Sequence, residues 1–224
     1  MPDPAVGSDA VPSLRAVAFD FNGTLSDDEP ILLSVYQEMF ARHGRPLTAD
    51  DYYGTLAGHS EEAIIGRWLE VDGEPLGALV EERIERYLER CGEGESVSPA
   101  VRDAVAYAAD RVPVAVVSGA FRREIEPVLS GSGLARHVTV LVCADDVEHG
   151  KPAPDGYEQA LSLLGGIAPT EAVAFEDTEV GVASAKAAGL RCVGVVGTHP
   201  PQRLRAADAL VDALDTSVVA ALFA

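Results

Sequence analysis

A doubly wound parallel α/β sheet carrying one inserted all-helical segment is the fold class this sequence predicts. Three observations predict it. From Leu14 onward, short Val-rich runs end in polar residues and are followed by stretches with helical spacing. The runs are almost continuously apolar, as expected of strands covered on both faces and joined by right-handed helical crossovers. A single long segment, Pro30 to about Glu95, breaks the alternation and contains no strand signal.

Taken in order, residues 1–13 read as a loose tail. The first strand is expected at Arg15–Asp20. Helical patterns follow at Ile31–Arg42, Ser60–Glu70 and Leu76–Arg90, and together they define a cap over residues 28–95. Its forward hinge is expected near Ser26–Pro30. The return runs through CGEGESVSP, Cys91 to Pro99, whose Gly, Ser and Pro suit a hinge. Later strands are expected at Pro113–Ser118, Val138–Cys143, Ala172–Glu176, Cys192–Val196 and Ala209–Val211, so residues 14–27 and 96–224 form the α/β core, a Rossmann-like sheet. In that architecture ligands sit beyond the carboxyl ends of the strands, which is where Asp20, Ser118, Glu176 and Asp177 fall.

Composition limits the function. The net charge of −19 over 224 residues argues against nucleic acid or an anionic membrane as a partner, since either needs clustered Lys and Arg. The apolar runs are too short for a membrane span, and the N-terminus lacks a signal-like pattern, so a cytoplasmic protein is expected. Cys91, Cys143 and Cys192 show no C-x-x-C spacing and read as buried thiols. Nothing fixes the assembly, and a monomer or weak homodimer is expected.

Four short motifs carry the chemistry. In AVAFDFNGTLSDDEP, Ala16 to Pro30, Asp20 ends a strand before a Gly23-Thr24 turn whose N–H groups can face an anion. A carboxylate held there can attack phosphorus, or simply cap the turn. Ser118 and Gly119 end a second strand and can give a hydroxyl and an N–H to phosphate oxygens. Lys151, one of two lysines in the chain, can neutralise a phosphate and a carboxylate together. Glu176-Asp177 ends a later strand, and beside Asp20 the pair would make an oxygen-rich Mg²⁺ site, although Asp177 can also serve as a helix N-cap.

In this order and placement, the motifs resemble those of the haloacid dehalogenase-like superfamily of phosphotransferases. The matching pieces are DFNGTL (Asp20 to Leu25), VVSGA (Val116 to Ala120), GKPAPD (Gly150 to Asp155) and FEDTEVGVASAKAAGL (Phe175 to Leu190). The last two are similar to the β-phosphoglucomutase-like and sugar-phosphate phosphatase branch, and the helical insert resembles that branch's mobile cap. The resemblance implies Asp20 as the nucleophile of an aspartyl phosphate. It implies Mg²⁺ held by Asp20, the backbone carbonyl of Asn22 and Asp177, with Glu176 nearby. Thr24, Ser118 and Lys151 would bind the phosphoryl group of a small metabolite, and Tyr52, Tyr53, His59 and Arg67 are candidate cap contacts. Trp68 is expected in the cap core.

Asn22 departs from the pattern. Most phosphatases of the superfamily carry a second aspartate there, which protonates the leaving group and then activates water; a carboxamide does neither. Loss of such help costs on the order of 10²–10⁴-fold in rate. Three explanations stay open: another acid, with Asp28, Glu29 and His59 available; a substrate with a good leaving group; or a phosphate-ligand binder or trapped variant with little turnover. A phosphonate-cleaving activity is excluded because Pro30 to Pro99 contains no lysine for a Schiff base. The acidic pair argues against a metal-free dehalogenase. A mutase ranks below a hydrolase, because the segment Gly58-His59-Ser60-Glu61 lacks the arginine of the mutase pattern.

Overall fold

The computed structural model describes residues 13–91 and 93–224. The tail expected over 1–13 therefore lies almost wholly outside the described residues. Six strands form one parallel sheet in the order β3-β2-β1-β4-β5-β6: β1 Ala16–Phe19, β2 Val114–Val117, β3 Val140–Val142, β4 Ala172–Glu176, β5 Arg191–Val195 and β6 Ala209–Val211. The strand order turns around β1, so the loops after β1, β2 and β4 meet at one edge.

Alternation along the strands explains the layers. Val17, Phe19, Val116, Val173, Phe175 and Val193 face one side, against Val105 of α5 (Pro99–Ala109), Ile125 and Val128 of α6 (Arg122–Ser132) and Val219 of α9 (Thr216–Ala220). Ala16, Ala18, Ala115, Val117, Ala174 and Cys192 face the other, against Tyr157 and Leu161 of α7 (Asp155–Leu163) and Val182 and Ala185 of α8 (Glu179–Ala187). Alanine predominates on the second face of β1 and β4, which lets α7 and α8 approach closely.

Between β1 and α5 the described residues form helices joined by turns, as the periodicity predicts: α1 Glu29–Arg42, α2 Ala49–Asp51 running into a π-helical turn Tyr52–Leu56, α3 Glu61–Leu69 and α4 Gly73–Cys91. The sequence reading misses α2 and the π turn, where Thr48 and Asp51 form a capping box too short to show periodicity. Leu32, Tyr36, Phe40, Ile64, Ile65, Val80 and Ile84 fill the interior of this segment. Trp68 is only half-buried: its ring stacks on Phe40 and its indole N–H donates to the Arg45 carbonyl (2.8 Å). All three cysteines are free and buried. Among the described residues no helix is long and apolar enough to cross a membrane.

Candidate functional site

Parallel strands deliver the polar residues to one edge. The Asp20 N–H donates to the Phe175 carbonyl (3.0 Å) just beyond β1, and the Ser118 N–H donates to the Val142 carbonyl (2.9 Å) just beyond β2. Glu176 is the last residue of β4, and Asp177 follows it. After Asp20 the chain turns tightly, with the Phe21 carbonyl accepting from Leu25 and Ser26 and the Gly23 N–H donating to Ser26. Gly23 has φ +74°, and a Cβ there would lie 2.0 Å from Asp177 Oδ2. Glycine alone satisfies both the left-handed backbone and that approach.

Lys151 closes the floor. Its ammonium contacts Asp20 Oδ1 and lies 2.7 Å from Glu176 Oε1 and 3.1 Å from the Val117 carbonyl. Tyr157 donates to the same Glu176 oxygen (2.6 Å). Burial works against the lysine's charge, yet Asp20 and Glu176 hold the ammonium well above its ordinary range. Asp20, Glu176 and Asp177 each offer an oxygen within 4.8 Å of the others. Burial, then the charge of Asp20, pushes Asp177 well above the usual carboxylate range, and burial raises Glu176 against the pull of Lys151. One ammonium therefore faces three carboxylates. Glu176 Oε2 and Asp177 Oδ2 are buried without a hydrogen-bond partner. Orphaned hard oxygens in a region of excess negative charge fit a divalent cation.

Above this floor lies a cavity of about 40 Å³. Asp20, Asn22, Gly119 and Lys151 line it from the sheet side, and Glu29, Tyr36, Tyr52, His59, Glu61 and Arg83 line it from the helical segment. Arg83 is fully buried. It pairs with Glu61 (3.3 Å) and with Glu124 in the first turn of α6, and its guanidinium lies over the rings of Tyr36 and Tyr87. An opening of about 250 Å³, bordered by Ser118, Gly119, His149 and Lys151, adjoins it.

The structure thus gathers most of the residues singled out in the sequence. Asp20, Asn22, Gly119, Lys151 and His59 line the cavity, Ser118 borders the adjoining opening, and Glu176 and Asp177 lie beneath in contact with Lys151 or near Asp20. Thr24, expected to bind the phosphoryl group, is buried, and its hydroxyl donates to Asp177 Oδ1 (3.1 Å). Asp177 is not the helix cap, because Thr178 takes that place by accepting from the Gly181 N–H (3.0 Å). Tyr52 lines the cavity, whereas Tyr53 and Arg67 do not.

The family model for haloacid dehalogenase-like hydrolases matches residues 14–189. The chain belongs to this family. Among relatives of this haloacid dehalogenase-like hydrolase, the validoxylamine A 7'-phosphate phosphatase of Streptomyces hygroscopicus subsp. limoneus is 32% identical over 217 residues, covering 88% of this chain and 92% of that protein. The phosphorylated carbohydrates phosphatase of Thermotoga maritima is 29% identical over 196 residues, covering 82% and 86%. In structure the hydrolase resembles CbbY from Rhodobacter sphaeroides, crystallised in complex with phosphate, at TM-score 0.80 and 28% identity, covering 90% of this chain and 95% of that one.

Sequence reasoning about this hydrolase missed the Arg83 cluster. Arg83 stands in EERIERYLER, whose dense charge reads as a solvated helix face. Its one signal was the helical spacing that sets Arg83 beside Val80, Ile84 and Tyr87, all buried.

Proposed function

We propose that this hydrolase is a Mg²⁺-dependent phosphatase acting on a small phosphorylated metabolite, with sugar phosphates the nearest class. The observation that carries the proposal is the placement of Asp20, at the floor of the cavity, in contact with Lys151 and within reach of the Glu176-Asp177 pair. The relatives named as a validoxylamine A 7'-phosphate phosphatase and a phosphorylated carbohydrates phosphatase support the substrate class.

In this reading Asp20 attacks the phosphorus, forming an aspartyl phosphate as the leaving-group oxygen departs. Lys151 holds the equatorial oxygens from below, and the Ser118 hydroxyl and Gly119 N–H hold them from the β2 side. The metal would be held by Asp20, the Asn22 backbone carbonyl and Asp177, with Glu176 nearby. When bound, it supplies positive charge against the phosphoryl oxygens, the main demand of phosphoryl transfer. Thr24 orients Asp177 through its hydroxyl, and Gly23 leaves room for that carboxylate. Residues 28–95 act as the cap that excludes water and limits the size of the leaving group. Glu61 follows Gly58-His59-Ser60 where the mutase pattern has arginine, and it is paired with Arg83, which favours hydrolysis over isomerisation.

The test is phosphate release from a panel of sugar, acyl and aryl phosphates with and without Mg²⁺. Turnover that requires Mg²⁺ and disappears in Asp20→Asn is expected. Turnover that survives in Asp20→Asn would rule out the assigned nucleophile.

A further inference from the structure

We propose that Glu29 is the proton donor and acceptor of this site, taking the role that Asn22 leaves open. The role presupposes the phosphatase reading above. Asn22 is held as a hydrogen-bonding group only: its amide nitrogen donates to Asp28 Oδ2 (3.0 Å), and its oxygen lies 3.5 Å from the Ser118 hydroxyl. The proton must come from another residue at the cavity.

Four titratable residues stand near enough to consider, and of these Glu61 lines the cavity but is committed to its ion pair with Arg83 (3.3 Å). Asp28 is buried behind Asn22, where it accepts from the Tyr87 hydroxyl (2.6 Å), and it does not line the cavity. His59 lines the cavity, but burial and then the charge of Arg67 hold its imidazole below the ordinary histidine value, so at neutral pH it has no acidic proton to give. Glu29 lines the cavity from the first turn of α1, opposite Asp20 and Lys151. Its Oε2 accepts from the Tyr52 hydroxyl (2.9 Å), while Oε1 has no hydrogen-bond partner among the described residues. One oxygen is thus anchored and the other is available to a ligand.

The surroundings keep this carboxyl protonated at neutral pH. Burial acts first, followed by the charges of Asp28 and, from beyond β1, Asp20; the Tyr52 hydrogen bond and Arg83 of α4 act the other way, and the acid is pushed up to about 8. Tyr36, Glu61, His59 and Lys151 complete the charged or titratable lining of the cavity. A carboxylic acid that is neutral near pH 7 yet close to its titration point suits both halves of a hydrolysis. In the first half an Asp20 oxygen bonds to phosphorus, the bond from phosphorus to the leaving oxygen breaks, and that oxygen takes the Glu29 proton. In the second, the Glu29 carboxylate takes a proton from water as the water oxygen bonds to phosphorus. The Asp20–phosphorus bond then breaks, releasing inorganic phosphate and restoring the Asp20 carboxylate.

Leaving-group dependence separates this role from a structural one. A proton donor matters for a poor leaving group such as phenol and much less for p-nitrophenol. Glu29→Gln is expected to lose about 10²–10³-fold in kcat with phenyl phosphate but only a few-fold with p-nitrophenyl phosphate. Adding Asn22→Asp to Glu29→Gln is expected to restore phenyl phosphate turnover, which also shows that the variant folds. Equal losses on both substrates, or a selective loss in His59→Ala in place of Glu29→Gln, would overturn the assignment. So would a parent protein that turns over neither ester until Asn22→Asp is introduced. If neither the parent nor Asn22→Asp releases phosphate, the phosphatase reading itself fails, and the Glu29 role falls with it.

Discussion

Replacing Asp177 with asparagine should abolish the response of the protein to Mg²⁺ and at the same time stabilise the metal-free form. The carboxamide introduced by Asp177→Asn keeps an oxygen to accept from the Thr24 hydroxyl, which now meets Asp177 Oδ1 at 3.1 Å. The substitution removes a fully buried carboxyl whose ionisation burial and the charge of Asp20 oppose, and whose Oδ2 has no partner. Relief of that penalty is worth on the order of 1–3 kcal/mol. In the parent protein, Mg²⁺ at one hundred times its Kd adds about 2.7 kcal/mol of stability by mass action. For a chain of 224 residues that corresponds to a rise in Tm of about 5–11 °C. Differential scanning calorimetry in EDTA and across a Mg²⁺ titration measures both effects without relying on turnover. A variant that keeps the Mg²⁺-dependent rise, or one less stable than the parent in EDTA, would refute the reading of Asp20, Glu176 and Asp177 as a cation site.

Gly23→Ala is expected to remove detectable Mg²⁺-dependent phosphate release. The new Cβ meets Asp177 Oδ2, and the φ of +74° adds about 1–2 kcal/mol of backbone strain, visible as a lower Tm. Arg83→Met leaves Glu61 and Glu124 buried without their cation, and a loss of about 3–5 kcal/mol is expected in urea unfolding, with part recovered in Arg83→Met combined with Glu124→Gln. Glu29 also predicts a pH dependence of stability. Its carboxyl rises from 4.5 to about 8 on folding, so the folded state binds the extra proton between those values and its contribution is lost as pH rises through them. The full span is worth on the order of 5 kcal/mol. Glu29→Gln should therefore flatten the decline in Tm between pH 5 and pH 8.5, and an unchanged slope would show that Glu29 is charged in the folded protein.

Local pattern was enough to determine much of this protein. Near-continuous Val and Ala runs predicted all six strands, and β1, β2, β4 and nearly all of β5 are buried on both faces, because a parallel strand covered by helices leaves no face for polar residues; β3 is only partly buried, and β6 at the sheet edge is mostly exposed. The same runs placed Asp20, Ser118, Glu176 and Asp177 at strand ends, and a parallel sheet brings its strand ends to one edge whatever the loops do. Helical spacing likewise predicted α1, α3 and α4 to within three residues at each end.

Only the tertiary structure decided which partner each polar group meets, because those contacts join residues far apart in the chain. Thr24 and Asp177 are 153 positions apart, and no local signal tells a hydroxyl aimed at a carboxylate from one aimed at a phosphate. Arg83 carries the same signature as a solvated arginine until α3 and α6 close around it with Glu61 and Glu124. Asp28 and Glu29 are neighbours in sequence, yet the helix that starts there turns Glu29 to the cavity and leaves Asp28 behind Asn22. A helix advances about 100° per residue, so adjacent acids face different surroundings, and burial rather than residue type separates their roles.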